Sequence, residues 1–312
     1  SVAEWWRENK LSVFKPSSQE NMGDQIDRYL VPRFGALTMT AITEERVQEF
    51  VAILTKTQYT RIHKGGKVVK KLLSPKSVRN IVGLLTQILG KKHCSTWELR
   101  FPEVPIKEQR YLTADEMRLV VNAATGQWKI LWATLAGTGM RISEAIGLHV
   151  EDVDLKAGSI VIRRSDWKGR EQTPKSKRGY RVASIDPVLV GMLKAHIGKR
   201  TSGRLFCTRN GTPLGRRNAN RSLYGTIKKL GIPKAGSHAF RHGRSSVLTA
   251  NGVPQKLREE WMGHSSYRIT ERYTHFDDSY RQKMVSESAL FSADGPNGPN
   301  FEGVLQPVEV AA

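Results

Sequence analysis

Several stretches of the chain place cations and a hydroxyl where they could work on one phosphate. Arg141 follows the "GTGM" turn at the start of a predicted helix, where backbone N–H groups also favour an anion. His238 and Arg241 in "SHAFRH" stand three residues apart, on one helical face. His264 comes directly after Gly263 in "WMGHSS", Lys175 lies in "TPKSKRG", and "ITERYTH" carries Tyr273 near the end of a helical segment. Moving a phosphodiester requires a nucleophile, stabilisation of the pentacoordinate phosphorane and protonation of the leaving oxygen. Arginine forks can hold two non-bridging oxygens with a charge that pH does not remove, while Lys or His can transfer the proton. Taken singly, each residue has a plainer reading as a surface charge, a satisfied histidine or an amphipathic core tyrosine. Spacing alone does not assemble them.

A metal-dependent route would need carboxylates to hold cations. The one dense acidic cluster, "EDVDL" at Glu151 to Leu155, lies between a helix and a strand and reads as turn and capping work. Cys94 and Cys207 are far apart and lack metal-ligand spacing, so neither a disulfide framework nor a zinc site is expected.

The elements that must carry these groups are mostly helical. "ITEERVQEFVAIL" repeats Val47, Phe50, Val51 and Leu54 at helical spacing behind a Thr43 cap. "SPKSVRNIVGLLTQILG" has Ser74 as cap, Pro75 in the first turn and Gly90 as stop. Between them "TRIHKGGKVVKKLL" reads equally well as a solvated loop or as a phosphate-contacting loop or hairpin. "RFPEVPIKEQRYLT", with two prolines and no sustained period, reads as a linker. A capping box from Thr113 to Glu116 then opens a second region.

That second region is helical up to "RISEAIGL" and then changes period. "GSIVIRR" and "GYRVASI" are β-branched runs, with "TPKSKRG" expected as a tight basic turn between them. Helices resume after Asp186, and the Gly/Pro/Asn-rich end reads as a flexible tail. The expected fold is mainly α with a small antiparallel β-sheet (α+β), in two domains. Residues 1–101 form an all-helical basic domain, 102–110 a linker, 111–288 the larger domain and 289–312 the tail.

Composition names the partner class. Fifty Lys and Arg face 29 Asp and Glu among 312 residues, a formal charge of +21. Such an excess costs self-repulsion unless a polyanion neutralises it, which points to nucleic acid. With no run of about 18 apolar residues and no signal-peptide pattern, membrane insertion and secretion are not expected, and a reducing cytosol fits. The chain begins at Ser1 rather than Met, so it reads as a fragment or a processed form.

"GTGMRISEAIGL", "TPKSKRGYRVASI", "SHAFRH" and "WMGHSSYRITERYTH", in that order, resemble the tyrosine recombinases, or phage-type integrases. The resemblance is strong over residues 111 to about 285 and loose before residue 100. It implies that Arg141 and Arg241 clamp the scissile phosphate and that His238 and His264 bond its oxygens and assist proton transfer. Lys175 would protonate the leaving 5′ oxygen, Glu144 would orient the arginine helix, and Tyr273 would be the nucleophile. A 3′-phosphotyrosyl link and a free 5′ hydroxyl would follow, with no nucleotide or metal cofactor required.

The resemblance also implies double-stranded DNA inside a C-shaped clamp and a homo-tetramer on two DNA sites, with room for accessory DNA-bending or directionality proteins. The setting would be a bacterial cytoplasm or nucleoid, and the task integration or excision of a mobile element. The arm-site domain of larger integrases is expected to have been removed, or to be absent from a simpler recombinase. Candidate DNA contacts are Arg61, Lys64, Lys67, Lys70, Lys71, Lys76, Arg79, Lys177 and Arg178. The alternatives are a type IB topoisomerase, which shares the chemistry, a catalytically silent DNA-binding regulator and, more remotely, a metal nuclease.

Overall fold

The computed structural model describes residues 2–62, 68–105, 110–173, 180–263, 278–288 and 290. It is mainly helical with small antiparallel sheets, and it divides into two compact units, Ser1–Glu108 and Gln109–Ala312.

In the first unit, α1 (Val2–Asn9) and α2 (Pro16–Gln25) are followed by a π turn at Ile26–Leu30 and by α3 (Val31–Phe34). Pro32, which has no N–H to donate, sits just past the π turn. The helices α4 (Glu44–Lys56) and α5 (Pro75–Leu89) supply most of the core. Their starts are as the sequence predicts, with Thr43 accepting from the Arg46 N–H and Ser74 from the Ser77 N–H at 3.1 Å. Phe34 meets Phe50 edge to face at 5.0 Å, which ties α3 to α4.

This unit is not all-helical, however. The strands β1 (Gln58–Ile62) and β2 (Val68–Leu72) pair antiparallel, resolving the open reading of the Gly-centred basic segment as a hairpin. Backbone pairing overrides the weak β-propensity of Lys70 and Lys71 because both lie exposed, where no core contact selects against them.

The second unit begins with α6 (Ala114–Ala123), whose Thr113–Glu116 capping box is complete, then α7 (Gly126–Thr138) and the short α8 (Ile142–Ile146). After β3 (Val153–Asp154), β4 (Ser159–Ile162) pairs with β7 (Arg181–Ser184) in a three-stranded sheet of order β3-β4-β7. The basic turn expected at "TPKSKRG" falls on residues 174–179, which lie outside the described residues, but the connection from β4 to β7 holds more than a turn. A separate hairpin, β5 (Ser165–Trp167) with β6 (Arg170–Gln172), stands between them. Its turn residues Lys168 and Gly169 both take positive φ, the combination that a two-residue hairpin loop demands.

The remaining helices are α9 (Pro187–Ile197), α10 (Arg216–Lys229), α11 (His238–Ala250), α12 (Gln255–Met262) and α13 (Asp278–Glu287). Trp132 and Phe240 stack in the core and join α7 to α11, and the partly buried Trp128 stacks on Trp132. At Gly243 a Cβ would lie 2.1 Å from the Leu112 carbonyl oxygen, so only glycine lets α11 pass that close to the segment leading into α6.

Candidate active site

The site begins where α7 stops. Thr138 bonds back to the Thr134 carbonyl at 2.6 Å, and Gly139 leaves the helix in the left-handed region at φ 66°. Two residues later Arg141 occupies the cap position of α8, half-exposed at 41% of its side chain. Glu144, one turn on, accepts from the Arg141 backbone N–H at 2.8 Å and from its Nη1 at 2.9 Å. One carboxylate thus fixes both the helix start and its arginine.

Two further arginines close around this corner. Arg181, at the start of β7, donates from Nη2 and Nη1 to the two Glu144 oxygens at 2.8 and 3.3 Å, and from Nε to the Trp261 carbonyl at 2.7 Å. Arg241, on the first turns of α11, donates from Nη1 to the Gly139 carbonyl at 3.0 Å and from Nη2 to the Met262 carbonyl. Arg181 and Arg241 are both buried. Trp261 and Met262 are the last residues of α12, whose final carbonyls have no helical partner, and the arginines satisfy them while favouring the negative end of the helix.

Electrostatics follows from this packing. Burial pushes the Glu144 carboxyl up, but hydrogen bonds and charge from Arg181 and Arg141 outweigh it and hold the group below its usual range. Burial, joined by the Arg141 charge, brings the Arg241 guanidinium down to about 10, which leaves it charged at neutral pH. Arg141 and Arg181 bond the one carboxylate and the Arg241 charge lies within its field, so the corner keeps a net positive charge and suits an anion. His238 opens α11 with its side chain exposed and meets His242 edge to face at 4.9 Å. Desolvation and the charges of His242, Arg241 and Arg141 depress its pKa, favouring the neutral ring.

Arg141, Glu144, His238 and Arg241 are therefore brought together from α8 and α11. Lys175, His264 and Tyr273 lie outside the described residues, as do Lys64, Lys67, Lys177 and Arg178. Arg61 lies on β1, Lys70 and Lys71 are exposed on β2, and Lys76 is exposed in the first turn of α5. Arg79 places its guanidinium 5.3 Å from the Phe101 ring centre, a cation–π contact within its own unit. The "EDVDL" cluster does the expected local work. Asp152 accepts from the His149 N–H at 2.8 Å, and Asp154 from the N–H groups of Lys156 and Ala157. Among the described residues no group of three His, Cys, Asp or Glu could hold a metal ion, and no helix is long and apolar enough to cross a membrane.

Sequence reasoning missed Arg181, which it read only as part of a β-branched strand. The signal was present in the alternation of β7, where Arg181 and Ala183 point inward while Val182 points out. An arginine in phase with the core face has to find buried acceptors. Arg244, one turn beyond Arg241, was also missed; it is buried, bonds the Ser288 carbonyl, and is pulled down to about 10 by desolvation against the opposing charge of Asp186.

Comparison with known proteins bears on this geometry. Residues 110–279 match the phage integrase family, and residues 1–55 match the phage integrase N-terminal SAM-like domain. A tyrosine recombinase XerC-like protein of Caldanaerobacter subterraneus subsp. tengcongensis is 28% identical over 221 residues, covering 60% of this chain and 56% of that one. Tyrosine recombinase XerD of Corynebacterium glutamicum is 35% identical over 150 residues, 47% and 48% of the two chains, so the chain spans about half the length of these relatives. The type 1 fimbriae regulatory protein FimE of Escherichia coli K12 is 30% identical over 175 residues, 54% of this chain and 87% of its own. Among solved structures, the Tn1549 transposon integrase in complex with transposon right-end DNA superposes with a TM-score of 0.66 at 19% identity, over 90% of this chain and 96% of that one. A lambda integrase dimer bound to a core site gives 0.58 at 15% identity, over 88% and 97%. At these identities the likeness is one of fold.

Proposed function

Because the chain belongs to the phage integrase family, we propose that it is a site-specific DNA recombinase that cuts and rejoins duplex DNA through a covalent tyrosine link. The observation that carries this reading is the convergence of Arg141, Arg241 and His238 beside Glu144, a corner of net positive charge whose arginines are bonded to carboxylate and carbonyl oxygens.

In the proposed reaction the scissile phosphate binds at this corner. Arg141 and Arg241 neutralise its non-bridging oxygens, and His238, with His264, bonds them and assists proton transfer. The Tyr273 oxygen attacks phosphorus as its proton leaves, the bond to the 5′ oxygen breaks, and Lys175 donates the proton that completes the 5′ hydroxyl. The bond energy is kept in a 3′-phosphotyrosyl ester, so the 5′ hydroxyl of another strand can reverse the step and exchange partners. None of these steps calls on a metal or nucleotide. Neutralising the phosphate first is what makes a hydroxyl with an ordinary pKa of about 10 usable near neutral pH.

Residues 1–101 and 111–288 would close as a C-shaped clamp about the duplex, with 102–110 as the connection. Four protomers would assemble on two sites to integrate or excise a mobile element in the bacterial cytoplasm. The test is capture of a protein–DNA adduct on a denaturing gel, with nicked duplexes carrying the ends of the protein's own genetic element and no divalent metal. Adduct from the wild type and none from Tyr273→Phe, with DNA binding retained, is the expected result. Tight binding without adduct overturns it in favour of a regulator. Strand exchange between two labelled duplexes separates a recombinase from an enzyme that only relaxes supercoils.

A further inference from the structure

Among the described residues, the Arg181 guanidinium alone touches both Glu144 and the end of α12. Nη1 and Nη2 reach the two carboxylate oxygens, and Nε reaches the Trp261 carbonyl. The two charged side chains are 3% and 7% exposed, so neither can be swapped for water. Each end of this bridge leads to a group in the proposed chemistry. Through Glu144 it reaches the backbone and guanidinium of Arg141. Through Trp261 it holds α12 two residues before Gly263, after which the chain continues to His264. Arg241 takes the adjacent Met262 carbonyl, so the last turn of α12 is held by two arginines from two different elements. Packing does not require a charge here. Ala183 and Ile185, on the same face of the β7 segment, are apolar and buried, and an apolar side chain would satisfy that face.

We propose that Arg181 is a positioning residue for strand cleavage, which sets the Arg141 guanidinium through Glu144 and fixes the end of α12 relative to it; this rests on the recombinase reading. Arginine is required because its planar fork meets three acceptors at once, whereas a lysine ammonium at the end of a flexible stem can hold only part of that set.

The test compares the full-length wild type with Arg181→Lys and Arg181→Met. Four quantities are measured: single-turnover adduct formation on the nicked duplex, equilibrium binding of the same duplex, cooperativity of unfolding, and the side-chain N–H resonances of ¹⁵N-arginine. The Arg141 signal is assigned by its disappearance in Arg141→Lys. Arg181→Lys is expected to unfold cooperatively, to bind DNA within about threefold of wild type and to cleave roughly 10- to 100-fold more slowly, the scale of a small misplacement of a reacting group. Its Arg141 resonance shifts, and Arg181→Met is slower still, so that lysine rescues in part. Cleavage within about threefold of wild type in both variants, or an unmoved Arg141 resonance, overturns the inference. Parallel loss of binding, cooperativity and cleavage in both variants also overturns it, in favour of fold support alone. A wild type without Tyr273-dependent adduct sinks the recombinase reading instead, and the Arg141 resonance, which needs no turnover, still decides the role of Arg181.

Discussion

At the end of α12 the guanidinium groups of Arg181 and Arg241 are buried and bonded to backbone carbonyls, whereas on the β1–β2 hairpin of the other unit Lys70 and Lys71 stand exposed on a two-stranded ribbon. Both regions are cationic, yet the first holds its arginines on fixed acceptors and the second exposes its lysines. Where direction matters the chain uses arginine, whose fork is rigid and whose side-chain entropy is already lost on folding. Where attraction to a polyanion suffices, lysine on a flexible stem is enough, and solvent screening keeps each contact weak.

The strongest way to break this comparison is to unhold the buried side. Glu144→Ala strips Arg181 and Arg141 of their shared carboxylate and leaves a buried guanidinium uncompensated, so it is expected to destabilise the second unit by about 3–5 kcal/mol, read by chemical denaturation. A loss below about 1 kcal/mol, the scale of an exposed pair, would erase the distinction between the two regions. Next in size is Gly243→Ala, which drives a methyl into the Leu112 carbonyl and shifts α11 together with His238 and Arg241. Its expected cost is about 1–3 kcal/mol, and a neutral result would mean that α11 moves freely against its neighbours.

On the exposed side, Lys70→Ala and Lys71→Ala are each expected to lower DNA affinity modestly and alike for all sequences, reducing the salt slope by about 1 per residue, as titration at several salt concentrations will show. A change of base preference instead would assign that hairpin a directional role. The smallest effect concerns pH. The folded His238 ring resists protonation, so between its depressed value and the ordinary histidine value near 6.5 the unfolded chain binds the proton that the folded one refuses. Stability therefore falls modestly as pH drops through that window, and His238→Gln should flatten this limb of a denaturation-against-pH curve. Glu144 acts in a separate, more acidic window, where its depressed carboxyl keeps its contribution until the pH falls below the ordinary carboxylate range.

Local rules made much of this legible in advance. Thr43, Ser74 and the Thr113–Glu116 box are short-range signals, since a cap needs only a hydroxyl and an N–H three residues away, and each stands where the pattern placed it. The same locality explains Asp152 and Asp154 in turn and cap positions. The β5–β6 hairpin was not legible because "SDWKGREQ" has a polar surface on both sides and no apolar alternation to announce it. The β1–β2 hairpin remained ambiguous for a similar reason, its strands being mostly exposed.

By itself the sequence determined which groups were available, namely Arg141, Glu144, His238 and Arg241 on helical starts, together with the charge that calls for a polyanion. Those properties depend on residue type and on spacings of three or four positions, which the helix geometry converts directly into a shared face. Only the tertiary structure decided that Glu144 would be claimed by an arginine 37 residues away, and that the loose carbonyls at the end of α12 would anchor guanidinium groups from β7 and α11. Such contacts depend on where separate elements come to rest, and that is settled by the packing of the whole core around them.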